Sequence, residues 1–388
     1  MDKIDLVLNH GVEDVIDKVS LKKKLEGSKK LVVKLGIDPT TPHLHLGHAV
    51  VLMKLKQFQD LGHQAVLVIG DFTAQVGDPS GRDSQRPVLT PSEIASNWQT
   101  YRKQASKILD MDKVKIVHNS AWFKKMGVAG LFDLLGKATI NQLLERKDFA
   151  DRLRQDKSLT YLEMLYPLLQ GYDSVELKAD VELGGVDQLF NLLMGRQLQK
   201  RYGQEEQDIL MTPLLVGLDG KDKMSKSAGN YIGLTESPEE MFGKVMKVPD
   251  TLLQTYFELA TSLNPEEVKF ELKKGPYEAK KRLAEEIVTR YHGPKPSEEA
   301  REEFGRVFSQ KESPSKLEVV TVDSQPTSYV SLTASAFGIS RSEARRLIDQ
   351  KALEDTGRLI LNPEEEVEPH EDQILKLGKH RFAKIKVK

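Results

Sequence analysis

The chain of 388 residues contains no cysteine, which excludes disulfides, thiolate zinc sites and cysteine nucleophiles. It has no apolar run long enough to span a membrane. Its 57 basic residues almost balance its 58 acidic ones, so any nucleic acid must be bound by a local patch. Residues 1–20 alternate charged and apolar side chains, which predicts a helix rather than a signal peptide. We expect a cytoplasmic protein that binds no membrane.

Two common nucleotide-binding motifs are also missing. The chain contains neither the Gly-x-x-x-x-Gly-Lys-Ser/Thr string of a P-loop nor the Gly-x-Gly-x-x-Gly string of a dinucleotide site. If this protein binds a nucleotide, it does so by other means.

The first half of the sequence predicts an open α/β sheet. Two apolar runs, residues 31–35 and 65–69, each end at a glycine and predict buried strands. The segment 47–62 between them has helical spacing, and a strand, a helix and a strand in succession form a parallel unit. Further strands are predicted at residues 114–117, 179–183 and 210–216. Sheets of this kind bind ligands at their carboxyl edges.

The second half has a different texture. From about residue 237 the pattern is helical and is interrupted by proline and glycine, and residues 309–316 have the polar composition of a linker. The sequence therefore predicts three domains: residues 1–232 with the sheet, residues 233–318 with helices and the linker, and a small unit at residues 319–388.

The string "TPHLHLGH", residues 41–48, holds three of the nine histidines. A metal site is disfavoured because the loop offers no regular spacing for three ligands, and we predict no metal held by the protein. Gly47 and His48 open the helix that follows a buried strand. Free N–H groups at a helix start bind anions, and a glycine lets a phosphate approach the backbone. The string therefore favours a phosphate site over a chance cluster of histidines on the surface.

A second loop, "GLDGKDKMSKS" at residues 217–227, concentrates lysines between glycines after a predicted strand. Lysine clusters of this kind are usually solvated surface. A mobile, positively charged loop is also suited to cover a pyrophosphate group.

Together the two loops resemble a known family. His45-Leu46-Gly47-His48 and Lys223 to Ser227 resemble the two signatures of class I aminoacyl-tRNA synthetases. The segments 70–82, 166–174 and 181–191 are similar to tyrosyl-tRNA synthetases, in the same order. The resemblance implies a Rossmann-like catalytic domain, a helical domain of the anticodon-binding type and a small α+β domain of the S4 type.

The resemblance implies a tyrosine pocket. Tyr166, Gln170 and Asp78 would hold the ammonium group, and Asp173 would accept the phenol proton. A buried carboxylate favours a ligand whose hydroxyl can donate to it, as tyrosine can, over phenylalanine, which would leave the carboxylate unpaired. The complete implied set is Gly36, Thr73, Asp78, Tyr166, Gln170, Asp173 and Gln188.

It also implies an ATP site, with Mg²⁺ arriving as part of the substrate. Thr40 and His45 would contact the γ-phosphate side, Lys223 and Lys226 the departing pyrophosphate, and His48 with Asp38 the nucleotide. The implied catalytic residues are Thr40, His45, His48, Lys223 and Lys226, and the implied ATP-binding residues are Asp38, Gly47, Asp187, Met224, Ser225 and Lys226.

One residue departs from the pattern of the family. Many members have a tyrosine two residues before the glycine of the strand that precedes the first signature, whereas this chain has Lys34. Lys34 could pair with Asp173 or point to solvent. Tryptophanyl-tRNA synthetases are the nearest alternative.

The tail resembles an S4-type RNA-binding module. Gly338 to Ser340 separate a short helix from a second one that carries Arg341, Arg345 and Arg346, which we expect to contact tRNA(Tyr). The last strand, residues 382–388, alternates apolar and basic side chains. A basic helix and strand taken alone also fit a solvated surface.

Residues 122–149 carry leucines on a predicted helix. In the family an insertion at about residues 120–160 packs against a second subunit, so the resemblance implies a homodimer; the residues alone would equally allow a core helix. The implied function is tyrosine–tRNA ligase, acting on L-tyrosine, ATP and tRNA(Tyr). The alternatives are a catalytically inactive, synthetase-like RNA-binding protein and an unrelated nucleotidyltransferase.

Overall fold

The computed structural model describes residues 2–80, 89–309, 318–378 and 381–388. The predicted linker at residues 309–316 lies outside these ranges except for Ser309. The chain forms two compact units, Met1–Glu298 and Glu299–Lys388. The boundary that the sequence predicts between residues 232 and 233 stays a prediction.

A six-stranded sheet forms the centre of the first unit. Its strands are β1 (Asp14–Ile16), β2 (Val32–Ile37), β3 (Gln64–Ile69), β4 (Lys115–His118), β5 (Val181–Gly185) and β6 (Asp208–Thr212). The order is β1-β6-β5-β2-β3-β4, and all neighbours are parallel except β1, which pairs antiparallel with β6. The predicted open α/β sheet is confirmed.

The strand order reverses at β2. From β2 the chain adds β3 and β4 on one side, and it later adds β5 and β6 on the other. Loops that leave neighbouring strands in opposite directions separate at such a point and open a crevice at the carboxyl ends of the strands. The candidate site is therefore expected beyond Ile37 and Gly185.

Helices surround the sheet and continue beyond it. They are α1 (Lys3–Asn9), α2 (Lys18–Glu26), α3 (Leu46–Asp60), α4 (Thr73–Val76), α5 (Pro91–Ala105), α6 (Ser120–Leu135), α7 (Ile140–Leu144), α8 (Lys147–Arg154), α9 (Tyr161–Leu177), α10 (Leu189–Arg201), α11 (Pro238–Val245), α12 (Leu253–Ala260), α13 (Pro265–Lys273), α14 (Pro276–His292), α15 (Pro294–Phe304), α16 (Tyr329–Phe337) and α17 (Arg341–Asp349). Among the helices of the described ranges, none has the length and apolar character needed to cross a bilayer.

Two sequence predictions need correction. Residues 1–20 are not one helix, because β1 interrupts them and pairs Ile16 with Ile209 at the edge of the sheet. The strand predicted at 210–216 ends at Thr212, since Pro213 has no N–H to donate to a neighbouring strand. In the first case a tertiary contact with β6 overrides the local helical pattern, and in the second a missing backbone donor ends the strand early.

Helix α9 carries three of the predicted tyrosine-binding residues. Its first turn is closed by a capping box, in which Thr160 accepts from the N–H of Glu163 and the Glu163 carboxylate accepts from the N–H of Thr160. Tyr166, Gln170 and Asp173 are four and three residues apart, so they lie on one face of the helix. Helix α10 packs closely behind: a Cβ at Gly171 would lie 2.9 Å from the backbone nitrogen of Gly195.

The second unit contains a five-stranded sheet in the order β10-β9-β12-β13-β7, and a pair β11-β8. Its strands are β7 (Glu318–Val322), β8 (Thr327–Ser328), β9 (Leu353–Asp355), β10 (Arg358–Leu359), β11 (Glu366–Val367), β12 (Ile374–Leu377) and β13 (Arg381–Val387). The predicted alternation along β13 is confirmed: Ala383 and Ile385 are buried, while Lys386 is exposed. Gly338 ends α16 at φ +61°, and the hydroxyl of Ser340 caps α17 by accepting from the N–H of Glu343.

Candidate active site

The first signature lies where β2 leads into α3. His45 is the N-cap of the helix, and its backbone N–H donates to Nδ1 of His48 at 3.3 Å. The two imidazole rings lie 3.9 Å apart between centroids. Within the described residues Nδ1 of His45 is buried without a hydrogen-bond partner. Burial, assisted by His48 and Lys226, lowers the pKa of His45 to about 2, so its ring is neutral at physiological pH.

The second signature is a loop pinned at its ends. The N–H of Met224 donates to the carbonyl of Leu215 at 2.7 Å, and the N–H of Ser225 donates to Oδ1 of Asn230 at 2.8 Å. Met224 is buried. Lys226 is half-buried, and its ammonium lies 5.9 Å from the ring centroid of Tyr231. Desolvation lowers the pKa of Lys226.

The two loops meet, as the sequence predicts. Leu46 donates its N–H to the carbonyl of Ile232 at 3.0 Å, and Leu234 donates to the carbonyl of Leu44 at 3.0 Å. A Cβ at Gly47 would lie 3.0 Å from Nδ1 of His45 and 3.8 Å from Cβ of Met224. His45 and Lys226, which are 181 positions apart in the sequence, are therefore close enough for the charge of Lys226 to lower the pKa of His45.

Lys223 is bound to a residue of the implied ATP site. Its Nζ lies 2.8 Å from Oδ2 of Asp187, in the short 3-10 turn that follows β5. Both side chains are partly exposed, so the ion pair is weak and can be replaced by another ligand of either group.

A cavity of about 210 Å³ lies at the reversal point of the sheet. All seven residues of the implied tyrosine set line it: Gly36, Thr73, Asp78, Tyr166, Gln170, Asp173 and Gln188. Asp38, Thr40 and His48 of the implied ATP and catalytic sets line it as well. The remaining members of those sets, His45, Gly47, Asp187 and the second-signature residues, lie in or contact the loops described above.

Asp173 is the buried acid of this cavity. The indole N–H of Trp122 donates to its Oδ1 at 2.9 Å, and the amide of Asn119 donates to its Oδ2 at 3.5 Å. Burial raises the pKa of Asp173 to about 7, opposed chiefly by the positive charge of Lys34. Sequence reasoning missed Asn119 and Trp122. The position of Asn119 directly after β4 was the available signal, since the other loops of the site also follow strands.

The sequence left two alternatives for Lys34, pairing with Asp173 or pointing to solvent, and both are wrong. The side chain is buried, and it has no direct hydrogen bond to Asp173. Its Nζ lies 2.8 Å from Oε1 of Glu182, its partner in the β2–β5 register. It also donates to the hydroxyl of Ser174 at 2.7 Å and to the carbonyl of Gln170 at 3.1 Å. Lys34 is fully buried. A cross-strand neighbour with the opposite charge explains how an ammonium group is accommodated inside the sheet.

Asp38 connects the two halves of the cavity. Its Oδ1 accepts from the hydroxyl of Thr73 at 2.8 Å, and its Oδ2 accepts from the hydroxyl of Tyr166 at 2.9 Å. A Cβ at Gly70 would lie 1.9 Å from the same carboxylate. Gly70, directly after β3, therefore provides the space that the carboxylate of Asp38, directly after β2, occupies.

A larger cavity of about 500 Å³ lies elsewhere in the first unit, between α1, α3 and the chain near residue 260. Burial lowers the pKa of its Lys54 to about 7. The Lys54 ammonium donates to the carbonyls of Val7 and His10 and to the amide of Gln57. None of the sequence-predicted site residues lines this cavity.

The three histidines of the first loop do not form a metal cluster with acidic residues. In the ranges that the structure describes, no group of three histidine, aspartate or glutamate side chains is arranged to hold a metal ion. His43 is exposed and lies 3.4 Å from the hydroxyl of Thr235.

The three tail arginines lie on α17 of the second unit. Arg341, Arg345 and Arg346 are all exposed, and Arg345 is ion-paired with Glu364. The structure thus presents the predicted basic face to solvent.

Comparisons with known proteins agree with this geometry. The family described as "tRNA synthetases class I (W and Y)" matches residues 26–309. A tyrosine–tRNA ligase of Moorella thermoacetica is 47% identical over 390 aligned positions, which cover 98% of this chain and 94% of that protein. One from Aquifex aeolicus is 43% identical and covers 98% of this chain and 97% of that protein.

Solved structures share the fold. A C-terminally truncated mitochondrial tyrosyl-tRNA synthetase of Aspergillus nidulans has a TM-score of 0.67 at 21% identity, covering 79% of this chain and 94% of that one. The tyrosyl-tRNA synthetase of Archaeoglobus fulgidus, complexed with L-tyrosine, has a TM-score of 0.63 at 24% identity, covering 77% and 98%. The chain belongs to the class I tRNA synthetases of the tryptophan and tyrosine group, within their tyrosine–tRNA ligase family.

Proposed function

We propose that this chain activates L-tyrosine with ATP and transfers the tyrosyl group to tRNA(Tyr). The tyrosine carboxylate attacks the α-phosphorus of ATP, a new oxygen–phosphorus bond forms, and pyrophosphate leaves with Mg²⁺. The terminal adenosine ribose of tRNA then takes the tyrosyl group and releases AMP. The observation that carries the proposal is the contact between the two signature loops beside a cavity lined by oxygen acceptors and by the buried carboxylate of Asp173.

The cavity offers what tyrosine requires at each end. Asp78, Tyr166 and Gln170 supply oxygen acceptors for the ammonium group. Asp173 lies in the same cavity, buried among donors, and can accept a hydrogen bond from a phenol. Phenylalanine has no hydroxyl to donate to this acid, and each hydrogen bond to a charged group that is not made costs about 1.5–3 kcal/mol.

The phosphate side works by positioning and by charge. His45 is neutral because of its low pKa, so it can donate or accept a hydrogen bond without carrying a charge. Lys226 lies close enough to His45 to help lower its pKa, and Lys223 is ion-paired with Asp187 of the implied ATP site. Fixed donors of this type stabilise negative charge that develops on the departing pyrophosphate. We assign ATP binding to Asp38, Gly47, Asp187, Met224, Ser225 and Lys226, and the catalytic roles to Thr40, His45, His48, Lys223 and Lys226.

A single assay tests the proposal. The full chain is incubated with ATP, Mg²⁺, labelled pyrophosphate and one of the twenty amino acids at a time, and incorporation of label into ATP is measured. Label should enter ATP only with tyrosine. Incorporation driven by tryptophan would assign the chain to the sister enzymes. A lack of incorporation with every amino acid would favour the inactive, RNA-binding alternative.

The second unit is proposed to bind tRNA(Tyr). Its support is the exposed basic face of α17 together with the outward lysines of β13. We also propose that the reaction takes place in the cytoplasm, a proposal supported by the similarity to bacterial tyrosine–tRNA ligases.

We also propose a homodimer. Large apolar side chains are exposed along the segment that the resemblance assigns to the interface and directly after it: Val128, Phe132, Ile140, Leu153, Tyr161 and Leu162, with exposed fractions from 49% to 86%. Apolar surface concentrated in one segment is typical of a covered interface. Sedimentation equilibrium of the full chain should give twice the monomer mass, and a monomer at micromolar concentration would contradict this proposal.

A further inference from the structure

The carboxylate proposed to bind the tyrosine ammonium is held from behind by hydrogen bonds on both of its oxygens. The hydroxyl of Ser80 donates to Oδ1 of Asp78 at 2.6 Å, and the amide nitrogen of Gln188 donates to Oδ2 at 2.8 Å. Ser80 lies behind the cavity wall and is 5% exposed. The orientation of Asp78 therefore depends on Gln188, which lines the cavity, and on Ser80, which does not.

These two hydrogen bonds lead to one guanidinium group. Arg146, the N-cap residue of α8, donates from one terminal nitrogen to the hydroxyl of Ser80 at 2.9 Å and from the other to Oδ1 of Asn191 at 3.2 Å. The amide nitrogen of Asn191 in turn donates to Oε1 of Gln188 at 2.9 Å. One arm thus runs through Ser80 and the other through Asn191 and Gln188, and both end on Asp78.

The chemistry of the two ends fixes the direction of every hydrogen bond between them. A guanidinium only donates, and a carboxylate only accepts. Since Ser80 accepts from Arg146, its own O–H is free to point at Asp78. Since Oδ1 of Asn191 accepts from Arg146, its amide group must face Gln188. No flip of either amide satisfies the same contacts.

The side chain of Arg146 is buried and is held on several sides. Its side chain is 6% exposed, its Nε donates to Oδ1 of Asp148 at 2.7 Å, and its Cζ lies 4.7 Å from the ring centroid of Phe149. The Asp148 carboxylate balances the charge of the guanidinium. The contribution of Arg146 to the cavity is therefore mainly one of orientation.

We propose that Arg146 is a positioning residue for amino-acid recognition, which aligns Asp78 and Gln188 with the ammonium group of the substrate. The inference rests on the proposed assignment of Asp78 to that group. Arg146 lies in the segment 120–160 and would otherwise be assigned only to the interface. It affects the first step through substrate binding and takes no part in bond making.

The test compares L-tyrosine with 3-(4-hydroxyphenyl)propanoate, which is tyrosine without its ammonium group. Dissociation constants of both are measured by calorimetry for the full-length wild type and for Arg146→Met, which keeps an unbranched apolar stem but removes the guanidinium donors. Affinity for tyrosine should fall about 10- to 100-fold, the range for a hydrogen bond to a charged group. Affinity for the propanoate should stay within about twofold, because it makes no use of Asp78. Arg146→Lys should restore part of the loss.

A matched control comes from the same helix. Arg152 is 4% exposed and is ion-paired with Glu163, away from Asp78. Arg152→Met should lower the unfolding temperature while keeping the preference for tyrosine. If Arg146→Met does not fold, Ser80→Ala removes one arm and should lower the preference for tyrosine in the same direction.

Each other outcome overturns the inference in an identifiable way. Equal loss of affinity for both compounds in Arg146→Met would indicate a general structural role. If Arg146→Met folds and keeps the wild-type preference for tyrosine over the propanoate, the role of Arg146 alone is overturned. The same holds if Arg152→Met changes this preference as much as Arg146→Met does. If the wild type binds both compounds equally well, Asp78 is not the ammonium site, and the assignment of the cavity fails together with this inference.

Discussion

Replacing Asp173 by asparagine should stabilise the protein at alkaline pH while impairing its recognition of tyrosine. Burial raises the pKa of Asp173 from 3.8 in the unfolded chain to about 7 in the native state. Between these values the native state binds more protons than the unfolded state, so stability is lost as the pH rises to about 7. Asparagine has nearly the same shape, does not titrate and keeps an acceptor for Trp122.

The magnitude follows from the interval of pH that is crossed. We compare about pH 5 with about pH 8.5. The wild-type protein loses stability only up to the native pKa of about 7, that is, over about two pH units, and each unit lowers the unfolding free energy by about 1.36 kcal/mol. Wild type should therefore lose about 2.7 kcal/mol of unfolding free energy relative to Asp173→Asn over this interval.

Urea unfolding of both chains at both pH values measures this difference, and the other titrating groups cancel in the comparison. The same free-energy difference at both pH values would refute the reasoning, because Asp173 would then not titrate in this range. In the pyrophosphate-exchange assay the variant should prefer tyrosine over phenylalanine less strongly, since a neutral amide accepts a phenol hydrogen bond more weakly than a carboxylate does. Unimpaired preference would show that the phenol is bound elsewhere.

Three further changes test other parts of the molecule. Lys226→Ala should slow adenylate formation about 100-fold in single-turnover experiments and leave the dissociation constant of tyrosine within about twofold, because the lysine acts when charge develops; an unchanged rate of pyrophosphate release would contradict this. Lys34→Met should lower the unfolding free energy by about 3–5 kcal/mol, since it leaves Glu182 buried without its ion pair. Adding Glu182→Gln should recover much of this loss in urea unfolding, whereas additive losses would mean that the two residues act independently. Arg341→Glu combined with Arg346→Glu should leave pyrophosphate exchange unchanged and weaken tRNA charging, with a smaller dependence on salt; normal charging at moderate salt would place tRNA elsewhere.

Local patterns in the sequence were sufficient for the main elements. The short, valine-rich runs before Gly36 and Gly70 predicted buried strands, which are β2 and β3, and the helix predicted at 47–62 is α3 within two residues. The two signature motifs could be recognised because their residue types and order are specific. The carboxyl edge of a parallel sheet then predicted that both loops would face one site.

Other features depend on partners far away in the sequence. The ion pair of Lys34 with Glu182 exists because β2 and β5 are neighbours in register, and strand order is not encoded in either segment. The same holds for Trp122 and Asn119 beside Asp173, and for the short strand β1, which forms only against β6.

The sequence by itself determined the class of sheet and the two loops, because these depend on patterns within single segments, and the resemblance of its motifs to a family implied the residues proposed to face a nucleotide and an amino acid. Only the tertiary structure decided the charge of Asp173 and His45 and the orientation of Asp78, because burial and hydrogen-bond partners are set by segments that meet after folding. Chemical composition selects the groups of the site, and packing fixes the protonation state and direction in which they act.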